Sequence, residues 1–226
     1  MPYFITIQYP YDHLTITLSD ATKIIQSMSI DKFKAVADLV PTLESILVEN
    51  QLTLKDISCI GVNTGPGPFN TLRSIIATIN AIAYATNIQL VGCNGLDLML
   101  EDSTDTSLVI LDAFGSDIYY GVSKSLTKQL PENVGLQNQG YTSIQELVAQ
   151  LNKIQLSTPL TCIGNGLIKY QTYISQNYNG ITEYKTDKLF ATKESLVLAT
   201  RNQFSDKKTQ LQLFPLYFES PVVKEA

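Results

Sequence analysis

The chain has 226 residues, 44% of them apolar and 16% charged, with a formal net charge of −5. That length can bury a core in one domain or two small ones, and the acid excess offers no basic face for direct nucleic-acid binding. No apolar run approaches the ~18 residues of a membrane span and "MPYFITIQYP" lacks the pattern of a secretory leader, so a cytoplasmic protein with no membrane contact is expected.

Three short runs rich in β-branched and aromatic residues come first: "YFITIQY", "LTITLSD" and "TKIIQSMSI". Tight connections at Asp12-His13 and Asp20-Ala21 make them an antiparallel meander. A helix is expected from about Asp31, with Phe33, Val36, Val40, Leu43 and Leu47 on one face and a kink at Pro41. "DISCIGVN" reads as a buried strand parallel to the first. A Gly-Pro turn, a helix from Pro68 to about Thr86, a strand at "IQLVGC" and a short helix near "GLDLML" complete one α/β lobe.

The polar run "EDSTDTS" is the expected boundary, giving lobes at 1–102 and 103–226. Beyond it "LVILDAFGSDIYYGVSKS" reads as a hairpin turning at Gly115-Ser116. A helix at "SIQELVAQL", a strand at "PLTCIGN", a helix from about Leu167 and a helix around "ATKESLVLATRNQF" follow. The second half repeats the first in shortened form, so the fold class is α/β with two related lobes, each a mixed sheet with packed helices.

In the stretch Gly65, Pro66, Gly67, Pro68, Phe69, the pair Pro66-Gly67 suits the centre of a type II turn, with positive φ at Gly67. Pro68 suits the first helical position. Nothing matches a phosphate-binding glycine signature, so the turn is read as a structural strand-to-helix connection. In the helix that follows, Leu72, Ile75, Ile79 and Ile82 form one stripe. Ala77, Ala81 and Ala85 form a second, of small residues. Arg73, Asn80 and Asn87 supply a narrow polar line. A helix apolar nearly all round needs cover on more than one side, by another part of this chain or by a second chain.

The turn and helix "DISCIGVNTGPGPFNTLRSIIATINAIA" resemble the signature of the TsaB family, the tRNA threonylcarbamoyladenosine biosynthesis proteins, in which the turn reads GPGSFTGLR. Weaker similarities follow in order: the opening hairpin, "DLVPTLESIL", "LDAFGSDIYYGV" against DARxGEVY, "CIGNGL" and "FPLYF". The resemblance implies the two-lobed fold of acetate and sugar kinases, Hsp70 and actin. It also implies a scaffold without catalytic residues or cofactor. The partner would be TsaD, the subunit that transfers threonylcarbamoyl to the adenosine beside the anticodon of tRNA, with TsaE and tRNA engaged indirectly. The pairing surface would be the first two helices: Val36, Val40, Leu43 and Leu47, with Leu72, Arg73, Ile76, Ala77, Asn80, Ala81 and Tyr84. The same helices could serve a homodimer when the chain is alone.

Several positions depart from the family pattern. Gln8 stands where many members have Asp, and Pro68-Phe69-Asn70-Thr71 replaces Ser-Phe-Thr-Gly. Ile75 and Ala81 replace helix glycines. Phe114 and Glu219 replace arginines. Thr71 and Ile75 are expected to push an approaching helix outward wherever they face it. A phosphotransferase of this fold needs carboxylates at its phosphate loops, and the first loop offers Gln8, Tyr9 and Pro10. Asp112 is the candidate nucleotide or metal ligand of the second loop, with a turn acceptor before Gly115 as the favoured reading. His13, the single histidine, reads as a solvated turn residue, which leaves no zinc set. Cys59, Cys93 and Cys162, odd in number and far apart, read as reduced core residues.

Overall fold

The computed structural model describes residues 2–9, 11–101, 105–129 and 136–218. The expected lobe boundary at 102/103, Pro10 and Glu219 lie outside the described residues. The chain divides into two compact units, Met1–Leu98 with Ala191–Leu216, and Met99–Phe190 with Tyr217–Ala226.

In the first unit, β1 (Tyr3–Gln8), β2 (His13–Ser19) and β3 (Ile24–Asp31) form the expected antiparallel meander. The chain then enters α1 (Ala35–Glu49), β4 (Ile57–Asn63), α2 (Phe69–Thr86), β5 (Gln89–Cys93) and α3 (Gly95–Leu100). Strands β4 and β5 join parallel to β1, giving the order β3-β2-β1-β4-β5. The two-residue period of β1 sends Ile5 and Ile7 into the core under α1 and α2, and Phe4 to the opposite face.

Helix α1 starts four residues later than expected, because β3 runs on to Asp31, which pairs with His13. The Asp31 carboxylate then accepts from the Phe33 amide at 2.9 Å, holding the turn before the helix. Phe33 therefore leaves the core face and stands 86% exposed. Helix α1 continues through Pro41. Ala37, whose carbonyl loses its helical donor there, lies on the solvent side, where water can replace the missing bond. His13 is the first residue of β2 rather than a turn residue, with Nδ1 2.5 Å from the Asp12 carboxylate.

The second unit repeats the plan. Strands β6 (Ser107–Asp112), β7 (Asp117–Val122) and β8 (Gln139–Ser143) are antiparallel, and β9 (Leu160–Ile163) and β10 (Thr182–Lys185) add parallel beside β6. The order β10-β9-β6-β7-β8 matches the first sheet strand for strand. Helices α4 (Lys124–Thr127), α5 (Ile144–Leu151) and α6 (Leu167–Asn177) contribute to its core, and the Ser143 hydroxyl caps α5 by accepting from the Glu146 amide. The edge strands β8 and β10 escape sequence reading. Neither has a fully buried residue, so neither carries an apolar alternation.

Helix α7 (Lys193–Ser205) corrects the expectation that all of 103–226 forms the second lobe. It packs on the free face of the first sheet, where Leu196 and Ala199 meet Phe4, Cys59, Val91 and Cys93, and Phe204 meets the Phe4 ring edge-on at 5.3 Å. Gly61 permits the approach: a Cβ there would lie 1.9 Å from the Thr200 hydroxyl. After α7, residues 209–216 run back along the β5 edge. Gln210 and Leu90 exchange backbone hydrogen bonds at 2.8 and 3.2 Å, and the buried Leu213 side chain fills the space beside Gly92.

All three cysteines are buried, as expected. Burial pushes the Cys59 and Cys162 thiols up to about 12. A raised thiol pKa means the folded state disfavours the thiolate. Its stabilising effect is therefore full below the ordinary cysteine range and declines as pH climbs towards about 12. Neither thiol is expected to react with an aromatic disulfide reagent in the native protein at pH 8, whereas urea should release both; prompt native labelling of either would contradict this packing.

Candidate partner-docking surface

The turn after β4 is held from several directions. Gly65 N donates to the Asn63 side chain at 3.0 Å, and the Gly65 carbonyl accepts from Gly95 N at 2.7 Å. Thr64 N and its hydroxyl both reach the Cys93 carbonyl, and the Thr64 carbonyl accepts from Leu216 N at 2.8 Å. The positive φ falls on Gly65 (119°), not on Gly67 as the type II reading expects, and the Gly65–Pro66 bond is cis. Gly65 must turn its carbonyl towards Gly95, and a Cβ there would lie 3.0 Å from Leu72, which together explain the glycine. Pro68 is the N-cap rather than the first helical residue: its carbonyl accepts the first bond, from Leu72 N at 3.0 Å.

Within α2 the period of 3.6 residues divides the side chains cleanly. Leu72, Ile75, Ile76, Ile79 and Ala83 are buried against the sheet. Arg73, Ala77, Ala81, Tyr84 and Ala85 are exposed, Tyr84 to 88%. On α1, Leu43 and Leu47 are buried, whereas Val36 and Val40 stand 47% and 46% exposed. Of the residues that resemblance places at an interface, Leu43, Leu47, Leu72 and Ile76 thus pack in this chain's own core. Val36, Val40, Arg73, Ala77, Ala81 and Tyr84 remain on the surface. Asn80 is half-buried, and its side chain accepts from Leu213 N and donates to the Leu213 carbonyl, both at 2.9 Å. An amide in an otherwise apolar helix is costly to bury without partners, and that was the sequence signal for a satisfied contact.

The expectation that Thr71 and Ile75 push an approaching helix outward is corrected. Ile75 is 1% exposed and belongs to the core, and Thr71 hydrogen-bonds the largely buried Tyr9, whose phenol burial pushes up. What faces solvent is a ridge of Ala77, Ala81 and Ala85 with Arg73 and Tyr84 beside it. Arg73 lies over the Phe69 ring at 4.9 Å, so the one cation of α2 is folded against its first turn. Where α1 passes α2, Val40, Leu43, Leu47, Val48, Leu52 and Ile82 line a shallow apolar groove of about 440 Å³.

Positions that a phosphate-handling relative would use are otherwise engaged. Gln8 is 4% exposed and its side-chain Nε2 donates to the Ala191 carbonyl, while its Oε1 has no hydrogen-bond partner. In the second unit, Asp112 faces Lys169, 3.4 Å from its ammonium, and the Asp112 amide donates to the Asn165 side chain. Lys169 also donates to the Gly115 carbonyl, so Asp112 takes part in fastening the β6–β7 hairpin to α6. At the hairpin tip Phe114 and Gly115 both have positive φ, at 61° and 99°. Among the described residues no three His, Cys, Asp or Glu side chains come together, and no helix is long and apolar enough to cross a membrane.

A family model described as "TsaD: tRNA N6-adenosine threonylcarbamoyltransferase" matches residues 34–210. An uncharacterized protein of Mycobacterium tuberculosis is 28% identical over 95 residues, which cover 42% of this chain and 45% of that protein. The tRNA threonylcarbamoyladenosine biosynthesis protein TsaB of Buchnera aphidicola is 23% identical over 123 residues, covering 52% of this chain and 58% of that protein. The chain thus spans about half the length of the curated relatives it matches. Among solved structures, YeaZ from Pseudomonas aeruginosa superposes with a TM-score of 0.70 at 15% identity, over 96% of this chain and 100% of that one. Another Pseudomonas aeruginosa structure, described as similar to peptidase YEAZ, gives 0.73 at 15% identity over 97% and 100%. The two superpositions show that the chain shares the fold of these structures, two α/β units that are each a mixed sheet with packed helices.

Proposed function

The chain belongs to the family of TsaD, the tRNA N6-adenosine threonylcarbamoyltransferase, as a divergent member of the TsaB type, and from that premise we propose that it is a non-catalytic subunit of threonylcarbamoyladenosine biosynthesis. It pairs with TsaD through α1 and α2 and supports the transfer of threonylcarbamoyl to tRNA. TsaE and tRNA are reached through that partner, in the cytoplasm, and the chain itself needs no cofactor.

The observation that carries the reading is the exposed ridge of Ala77 and Ala81, on a helix whose buried side is complete without them, with Val36 and Val40 also left exposed on α1. Small residues let a second helix approach closely, and an apolar ridge kept in water gains by being covered. Gln8 and Asp112 favour the same reading over a phosphotransferase. An amide is a poor base and Mg²⁺ ligand, and the carboxylate is committed to Lys169. A homodimer through the same ridge is the second reading, favoured by Arg73, the one cation of α2, being folded over the Phe69 ring.

Light scattering after size exclusion, with the chain alone and mixed with TsaD of the same organism, tests the pairing. A one-to-one complex is expected at micromolar concentration. A chain that stays dimeric and takes up no TsaD would overturn the heterodimer in favour of self-pairing.

A further inference from the structure

Beyond α1 and α2, the segment 209–216 also places large apolar side chains on the surface of the first unit. Within six residues Leu211 is 96% exposed, Leu213 1% and Phe214 69%. Scattered exposed apolar residues need no explanation, but here two large ones flank an anchored one. The anchor is specific. Leu213 is buried beside Gly92, its backbone takes both hydrogen bonds of the Asn80 side chain, and the next residues are held through Leu216 N to Thr64. The segment is a strap tied at Gln210, Leu213 and Leu216, and its tie in the middle is to α2.

The direction of that tie matters. Successive helical residues point about 100° apart, so Asn80 and Ile82 lie on opposite flanks of the outward-facing Ala81. Ile82 lines the groove with α1, and Asn80 holds the strap. The alanine ridge thus runs between two raised borders. Val40 lines that groove with Ile82 on one side. On the other side Asn80 holds Leu213, and so keeps the strap with its exposed Leu211 and Phe214 alongside the helix.

We infer that the strap is part of the partner-binding surface, with Leu211 and Phe214 closing on the side of the TsaD helix that lies along Ala77 and Ala81. This inference rests on the proposed pairing and extends it to a segment that lies far from α2 in sequence. The occupant is the same partner, because the strap border is continuous with the ridge through Asn80. It also gives Asn80 a positioning role. Without its two hydrogen bonds, Leu213 would be the main tie near the ridge and Phe214 would no longer be presented at a fixed place.

Three variants separate the strap from the ridge in titrations with TsaD: Leu211→Ser with Phe214→Ser, Ala81→Glu, and Asn80→Ala. The strap double variant is expected to weaken the complex about tenfold to a hundredfold, as burial of two large apolar side chains would imply, with an unchanged far-ultraviolet spectrum. Asn80→Ala should weaken it in the same direction by less, and Phe214→Leu alone, which keeps an apolar residue there, should retain most of the affinity. If Ala81→Glu abolishes binding while the strap double variant stays within twofold of the parent, the strap inference fails and the helix pairing stands. Should Ala81→Glu also leave the affinity unchanged, or the parent form no complex, both fail.

Discussion

Replacing Ala81 by glutamate is expected to eliminate the complex with TsaD while leaving the unfolding temperature of the chain unchanged. Ala81 projects to solvent from the middle of α2, and the residues that hold the helix down, Leu72, Ile75, Ile76, Ile79 and Ala83, lie on the other side. A glutamate there keeps good helix propensity and finds water in the free chain, so stability should move by less than about 0.5 kcal/mol. In a closely packed helix pair the same side chain both overfills the contact and must give up hydration of a charge. Together the two effects cost at least about 4 kcal/mol, enough to lower affinity by about a thousandfold or more. Light scattering reads the loss and a thermal melt supplies the folding control. A complex that survives with near-parent affinity would mean that the alanine ridge is not where the partner binds. Ala77→Glu, one turn earlier on the same ridge, should behave alike.

The second large effect is expected at Gly61→Ala, which should destabilise the protein by about 3 kcal/mol, at the upper end of the usual cost of overpacking. The added Cβ would lie 1.9 Å from Thr200 Oγ1, 2.7 Å from its Cγ2 and 2.8 Å from its Cβ. Turning the threonine side chain relieves only the first two contacts, because the third involves an atom fixed by the helix backbone. Thr200 is fully buried, and its hydroxyl already donates to the Leu196 carbonyl at 2.7 Å, so α7 as a whole has to retreat. Retreat loosens Leu196, Ala199 and Phe204 from the first sheet. Urea unfolding measures the cost, which is a large share of the roughly 5–15 kcal/mol typical of a domain. Thr200→Gly in the Gly61→Ala background should recover part of it, less the penalty of placing a glycine in α7, about 1 kcal/mol relative to alanine. A loss below about 1 kcal/mol for Gly61→Ala would show that α7 is not seated on that glycine.

Both variants bear on how the chain is organised. The first concerns a surface that the folded unit leaves uncovered. The second concerns the return of a distant helix that makes the unit complete. The strap extends the same logic: α7 brings the chain back to the first unit, and residues 209–216 then pass beside α2 before the chain leaves it.

The sequence by itself determined the repeated α/β plan. The β-branched and aromatic run of β1, the alternation of β2, the continuous apolar run of β4 and the 3.6 period of α2 are local consequences of which faces are buried, so they can be read residue by residue. It also marked the glycine-proline turn, the small-residue ridge of Ala77 and Ala81, and the missing carboxylate at Gln8. The tertiary structure alone decided which member of each stripe is covered. The resemblance places Leu43, Leu47, Leu72 and Ile76 at a partner surface, yet they fill the core. Asn80 looks like a polar line and is a clasp for Leu213, 133 residues away. Gly61 says nothing in its own strand until Thr200 arrives against it. Local periodicity records only that a side must be apolar. Which partner covers it depends on contacts between segments far apart in the chain, and those exist only once the sheet, α7 and the strap have come together.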